Sequence, residues 1–198
     1  MIYVFLADGF ETVEALAVVD VLRRAKLEVR TAGVGGRTVT SAHGVPVVCD
    51  VTAGEVDKEA MELLFLPGGI PGTPNLEASG EVQDCITYAA EHDRWITAIC
   101  AAPSILGHRG LLEGRTATSF PTFQKELRGA NIPADAYVCV DGRYVTGRGM
   151  GAVSYTHLSR CGCTAPPTKT GRRSSSATRS RPTCRRARSI PTMWCSTA

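Results

Sequence analysis

The chain has no apolar stretch long enough to span a bilayer, and no basic segment precedes the strand-like run Met1–Leu6. The first absence argues against a membrane partner and the second against a secretory leader. Cys161–Gly162–Cys163 has no second close pair at ligand spacing, so no zinc site is expected. Cys49, Cys85, Cys100 and Cys139 are scattered singly, which suits a reduced, cytoplasmic protein better than a disulfide scaffold. Histidines number four. His92 ends a helical stretch, His108 ends a short helix, His43 sits at a hairpin tip and His157 belongs to the C-terminal segment. None suggests itself as a general base, so a Cys–His–acid triad is not expected. No metal and no cofactor is called for.

Acidic residues are absent from residues 153–198, which carry nine Lys and Arg. Residues 1–152 hold all 19 Asp and Glu against 13 Lys and Arg. The formal charge of +3 therefore averages two unlike pieces. The tail is dominated by Ser, Thr, Pro and Arg without apolar periodicity, a composition that cannot offset ordering entropy by burial. Its charge permits non-specific phosphate contact. With only Tyr155 and Trp194 available for stacking, no specific nucleic-acid partner is expected. Residues 1–152 suffice for one domain with a good core.

Within that domain strands alternate with helices. Ile2–Ala7 reads as a strand, Asp8–Gly9 as a turn and Phe10–Ala25 as a helix, with Asp8 and Glu11 spaced as a capping box. Glu28–Val34 is a second strand, and Arg37–Ser41 with Val45–Val51 makes a hairpin around His43–Gly44. Glu62–Leu66 is a short buried strand ending in Pro67–Gly68–Gly69, and Leu76–His92 is a helix. Trp95–Ile99 is a strand, Thr116–Ser119 a short strand and Thr122–Arg128 a helix. Tyr137–Val140 and Arg143–Thr146 form a hairpin around Asp141–Gly142. This alternation predicts an α/β fold, a mostly parallel sheet between helical layers. The turns at Asp8, Gly68–Gly69 and Cys100 all follow strand ends, where the ligand crevice of such a sheet lies.

Cys100 falls in the stretch WITAICAAP, at a strand-to-helix turn with Pro103 suited to the first helical turn. Such a turn lifts the thiol toward open space and near unpaired helix N–H groups, which favour a thiolate. The alternative is a free core cysteine. Glu14 is centred on the apolar stripe of Phe10, Val18, Val21 and Ala25, opposite the solvated Thr12, Asp20 and Arg23. A carboxyl there is costly unless protonated or hydrogen-bonded. It is either a donor to the Cys100 sulfur or a structural group capping a loop. Gly68–Gly69 is either a plain turn or an approach for backbone N–H groups that, with Ala101, would form an oxyanion hole. Arg148 is either an anion contact or an ordinary surface charge.

Four motifs in order make the resemblance: LADGFETVEALAVVDVLRRA, LFLPGGIPGTPNL, ITAICAAP and TGRGMGA. Over about residues 2–152 the chain resembles the DJ-1/PfpI (ThiJ) superfamily, and within it the DJ-1 branch. The resemblance implies a flavodoxin-like three-layer sandwich and a homodimer. It implies Cys100 as the reactive elbow cysteine and Glu14 as its hydrogen-bond partner. Gly69 and Ala101 become the oxyanion donors. Where members with a site histidine carry it before a proline, this chain has Phe120, and where protease-like members have His after the cysteine it has Ala101. Protease chemistry is therefore not expected, whereas a Cys–Glu dyad is intact. The family continues after Ala152 with an apolar helix that is missing from this sequence.

Two functions follow from the resemblance. One is a glyoxalase or deglycase acting on small reactive aldehydes or glycated adducts through the Cys100–Glu14 dyad. The other is a redox sensor or stress-protective chaperone working by oxidation of Cys100. An older family association with thiazole monophosphate biosynthesis finds no phosphate-binding motif here. The abrupt loss of acids and periodicity from about Val153 predicts a segment that is either disordered or translated out of frame. Translating the source DNA in its other two frames is expected to recover an amphipathic helix; recovery in neither frame would mean that the tail is genuine.

Overall fold

Alternate residues of the first strand enter different cores. Ile2, Val4 and Leu6 pack with Val18 and Val19, while Tyr3, Phe5 and Ala7 pack with Leu64, Ile86 and Ile96. A strand buried on both faces belongs in the middle of a sheet covered by helices, and that is its position. The computed structural model describes residues 1–152. The expectations for residues 153–198, a disordered or out-of-frame tail without a closing helix, lie outside the described residues.

The elements run β1 (Ile2–Leu6), α1 (Thr12–Arg24), β2 (Val29–Gly33), β3 (Thr38–Thr40), β4 (Pro46–Val48), β5 (Val51–Thr52) and β6 (Leu63–Leu66). They continue as α2 (Gly72–Ala78), α3 (Gly80–Glu91), β7 (Trp95–Ile99), α4 (Pro103–His108), β8 (Val138–Asp141) and β9 (Tyr144–Gly147). Seven strands form one sheet in the order β5–β2–β1–β6–β7–β9–β8. Only β8 against β9 is antiparallel. Helix α1 and the separate β3–β4 hairpin share one core, and α2, α3 and α4 share the other. The three-layer α/β fold is as expected.

Several local expectations differ. The Asp8–Glu11 capping box does not form: Glu11 is itself the N-cap of α1, accepting from Val13 N–H at 3.4 Å. Asp8 instead accepts from Thr40 N–H at 2.7 Å, tying the turn to the hairpin. Phe10 precedes the helix and bridges to Ser41, so it does not set the helix face. The buried positions are Glu14, Ala15, Val18 and Val19, and Val21 is 39% exposed. The single helix expected over Leu76–His92 is broken at Ser79, whose extended backbone and hydroxyl cap α3 through Val82 N–H at 3.4 Å. Thr116–Ser119 makes one bridge, Thr116 to Asn131, rather than a strand. Its Thr118 N–H is taken by the Thr146 hydroxyl at 2.9 Å, a side chain in place of a ladder. Residues 121–126 form a 3₁₀ turn, not an α-helix.

Helix α4 is held from both sides. His108 at its end bridges Glu77 of α2 at 2.6 Å and Glu126 of the 3₁₀ turn at 3.3 Å. The Glu77 hydrogen bond is the chief reason its imidazole titrates above the ordinary range. Gly107 lies against the backbone of Glu126 and Leu127, where a Cβ would meet Glu126 O and come within 2.9 Å of Leu127 Cα. Backbone cannot yield as a side chain can. Gly107→Ala is expected to lower unfolding stability by about 1–3 kcal/mol, as overpacking does, and urea denaturation of the variant against the parent checks it.

Candidate active site

Strand β7 delivers Cys100 to the carboxyl end of the sheet. Its N–H continues the ladder to Gly147 O at 2.9 Å, and its carbonyl accepts from Phe120 N–H at 2.8 Å. The chain then turns sharply: Ala102 N–H bonds back to Ile99 O at 3.0 Å, and Pro103 opens α4. Cys100 has φ 62, the left-handed region that non-glycine residues rarely occupy. A strained strand-to-helix turn carrying the reactive atom is the geometry of a nucleophile elbow. Ala101 and Ala102 are buried at 1% and 0%.

Glu14, 1% exposed, reaches the same point from α1. Its Oε2 accepts from Gly68 N–H at 3.0 Å, and its carboxyl hydrogen-bonds the Cys100 thiol. Gly68 explains how three segments meet there. A Cβ on it would lie 2.6 Å from Cys100 Cβ, 2.6 Å from Glu14 Oε2 and 3.2 Å from the sulfur. Only glycine permits this approach. Gly68 was legible in the sequence as half of a Gly pair, but its N–H serves Glu14 rather than open space. The neighbouring Gly69 has φ 105, and a Cβ there would come within 2.5 Å of Glu11 N. Among the described residues Gly69 N–H has no acceptor, whereas Ala101 N–H points to the Cys100 sulfur. Both donors expected for an oxyanion hole thus belong to turns that flank Cys100.

Three residues complete or leave the site. Gly149, unremarked in the sequence, brings backbone to Glu14: a Cβ on it would lie 3.9 Å from Oε1 and 3.7 Å from the Phe120 ring. Phe120, the residue before Pro121, is 45% exposed. Arg148 turns elsewhere, its guanidinium 5.8 Å from the centre of the Tyr137 ring. No ion pair to it appears among the described residues, and it does not meet Cys100. His43 and His92 are exposed and His108 is in its clasp, so no described histidine reaches the thiol. His157 lies outside the described residues. Among the described residues no group of three or more His, Cys, Asp or Glu is arranged to hold a metal, and no helix is long and apolar enough to cross a membrane.

The electrostatics correct one expectation. Burial, then the adjoining Glu14 carboxylate, push the Cys100 thiol up to about 12, and Ala101 N–H pulls it only partly back. Helix α4 has six residues and its dipole is outweighed by a carboxylate in contact. Burial likewise holds Glu14 above the ordinary carboxyl range, against hydrogen bonds from Cys100 and Gly68 N–H. Glu11, expected only to cap, adds a like charge that raises both. Two acids sharing one dry pocket release a first proton and resist the second. Burial and mutual repulsion therefore oppose ionising both groups at once.

An elbow cysteine with a buried carboxyl partner on a flavodoxin-like sheet defines the class of this protein. The pattern of the DJ-1/PfpI family matches residues 1–159, and the chain belongs to that family. It is 36% identical over 149 residues to Protein DJ-1 homolog A of Arabidopsis thaliana, covering 74% of this chain and 38% of the relative. The chain thus spans little more than a third of that plant protein. It is 34% identical to Protein dj-1beta of Drosophila melanogaster, covering 75% of this chain and 80% of the relative. A deglycase of Thermococcus kodakarensis is 32% identical, with 76% and 90% covered. The crystal structure of Drosophila DJ-1beta superposes with a TM-score of 0.76 at 32% identity, covering 80% of this chain and 87% of that one.

If the negative charge rests on Glu14, Glu14→Gln lowers the thiol pKa. Alkylation of Cys100 by iodoacetamide at pH 8, read by peptide mass, is then expected to accelerate roughly tenfold for each unit of fall. In the parent the rate should still be climbing at pH 10. An unchanged or slower variant would place the charge on sulfur and the proton on Glu14.

Proposed function

We propose that the chain is a cysteine-dependent enzyme of the glyoxalase or deglycase kind, acting on small reactive aldehydes or glycated adducts. The observation that carries this reading is the contact of Cys100 with Glu14 across Gly68, with the Ala101 N–H on the sulfur. The deglycase of Thermococcus kodakarensis supports it. A thiol that keeps its proton needs a base at the moment of attack, and Glu14 is in contact with it. Cys100 Sγ bonds to the carbonyl carbon as its proton passes to Glu14. Negative charge builds on the carbonyl oxygen, where the Gly69 and Ala101 N–H groups stabilise it. Glu14 then returns the proton to that oxygen, giving a hemithioacetal. The S–H bond has added across C=O with no proton left over.

The second reading is a redox sensor or stress-protective chaperone, favoured by the crystallisation of Toxoplasma gondii DJ-1 in an oxidised form. Oxidation and nucleophilic attack both require thiolate character; a carboxyl in contact with the sulfur, able to take its proton as a bond forms, favours the enzyme. The reading also includes a homodimer, and a cytoplasmic location in keeping with four described cysteines that are all unpaired. Purified full-length chain is expected to turn over methylglyoxal. Cys100→Ser should abolish turnover, and Glu14→Gln should slow it by roughly 10²–10⁴-fold, as loss of a positioned acid–base does. No turnover, together with peroxide adding two oxygen atoms to Cys100, would select the sensor.

A further inference from the structure

At the opposite end of the sheet from Cys100, three arginines line one groove of about 390 Å³. Arg94 precedes β7, Arg143 precedes β9, and Arg115 comes from the loop after α4. Two of them lie over aromatic rings: Arg115 at 4.4 Å from the centre of Tyr144, and Arg143 at 5.1 Å from Trp95. A guanidinium held face-on by a ring keeps its in-plane N–H edges available for oxygen. The backbone beneath is fixed by the sheet, with Ile96 N–H on Arg143 O at 2.9 Å and Trp95 N–H on Glu62 O at 2.9 Å.

The charges of this groove are incompletely answered by the protein. Arg143 Nε pairs with Asp93 at 3.1 Å, and Arg115 NH1 approaches Asp141 at 3.6 Å. Asp93 is the one carboxylate in the lining, and it is 77% exposed. Arg94 has no carboxylate partner among the described residues. Its NH2 reaches Glu59 O at 3.5 Å, and its Nε is enclosed without any acceptor. Native structures rarely leave an enclosed donor unanswered. Residues 1–152 are acidic overall, yet they gather three guanidinium groups around one concavity. Planar guanidinium forks suit a phosphate group, which accepts paired N–H bonds on several oxygens.

We propose that the groove between Arg94, Arg115 and Arg143 binds a dianion of the phosphate class, as the free ion or as a phosphomonoester. Calorimetric titration of the full chain with inorganic phosphate and with glycerol phosphate, at constant ionic strength, tests it. Saturable binding is expected, weakened tenfold or more by Arg94→Gln and by Arg143→Gln and unchanged within twofold by Arg24→Gln. Arg94→Lys keeps the charge and the apolar stem but not the fork, so it should weaken binding severalfold even if the glutamine variants fold poorly. Tighter binding of glycerol phosphate identifies a phosphomonoester site, and equal or weaker binding a free-phosphate site. Absence of binding, or binding that Arg94→Lys and both glutamine variants leave unchanged, overturns the proposal. The second result would include attraction to the nine basic residues beyond residue 152.

Discussion

The hydrogen bond from Gly68 N–H to the Glu14 carboxyl holds the site together. It joins α1 to the turn after β6 directly beneath the turn after β7, within a space that a single methyl group would fill. A buried carboxylate without partners is among the costliest groups in a protein. Glu14 is tolerable because it accepts from Gly68 and shares a proton with Cys100. The cost of its burial is therefore tied to the elbow geometry. Were Cys100 to leave its left-handed conformation, Glu14 would lose one of the two contacts that offset its desolvation. Strain at Cys100 and burial at Glu14 sustain each other.

That mutual dependence determines what the thiol can do. Helix-terminus N–H groups favour a thiolate, whereas burial and a neighbouring anion oppose one. The second pair wins here, since the carboxylate touches the sulfur and α4 is less than two turns long. The same carboxylate that raises the thiol is the group able to remove its proton. Proton transfer between them moves charge within the pocket without changing its total. Coulomb repulsion, which forbids two charges, does not oppose this exchange.

Much of this was legible in residues 1–152 because the relevant signals are local. The apolar run of β1, the Pro-opened helix after Cys100 and the carboxyl at Glu14 amid apolar neighbours each follow from a few adjacent residues. The failures came where distant segments compete for the same group. Asp8 has cap chemistry, but the hairpin claims it through Thr40. Phe10 has helical spacing, but Ser41 holds it outside the helix. The role of Gly68 depends on Cys100 and Glu14 arriving from opposite directions, and no spacing in its own segment encodes that. Arg148 left two readings open in sequence, an anion contact or a surface charge, and the Tyr137 ring beside its guanidinium could not be read from its glycine neighbours. The direction of the thiol's shift was missed because helix polarity can be read in sequence, whereas the depth of burial cannot.

The sheet's polarity separates its two charged regions. Parallel strands bring the turns carrying Glu14, Gly68 and Cys100 to one end, and the residues that precede β7 and β9 to the other. Five residues of strand lie between Arg94 and Cys100, six steps that span roughly 20 Å at strand rise. That is about two and a half times the screening length at physiological salt. No arginine is among the influences on the Cys100 thiol, although three lie at the far end of the strands that deliver it. A cation beside the sulfur would have produced a standing thiolate exposed to any oxidant. With the cations remote and Glu14 adjacent, the groups that act on the thiol are its own burial, the carboxyl in contact with it and the Ala101 N–H.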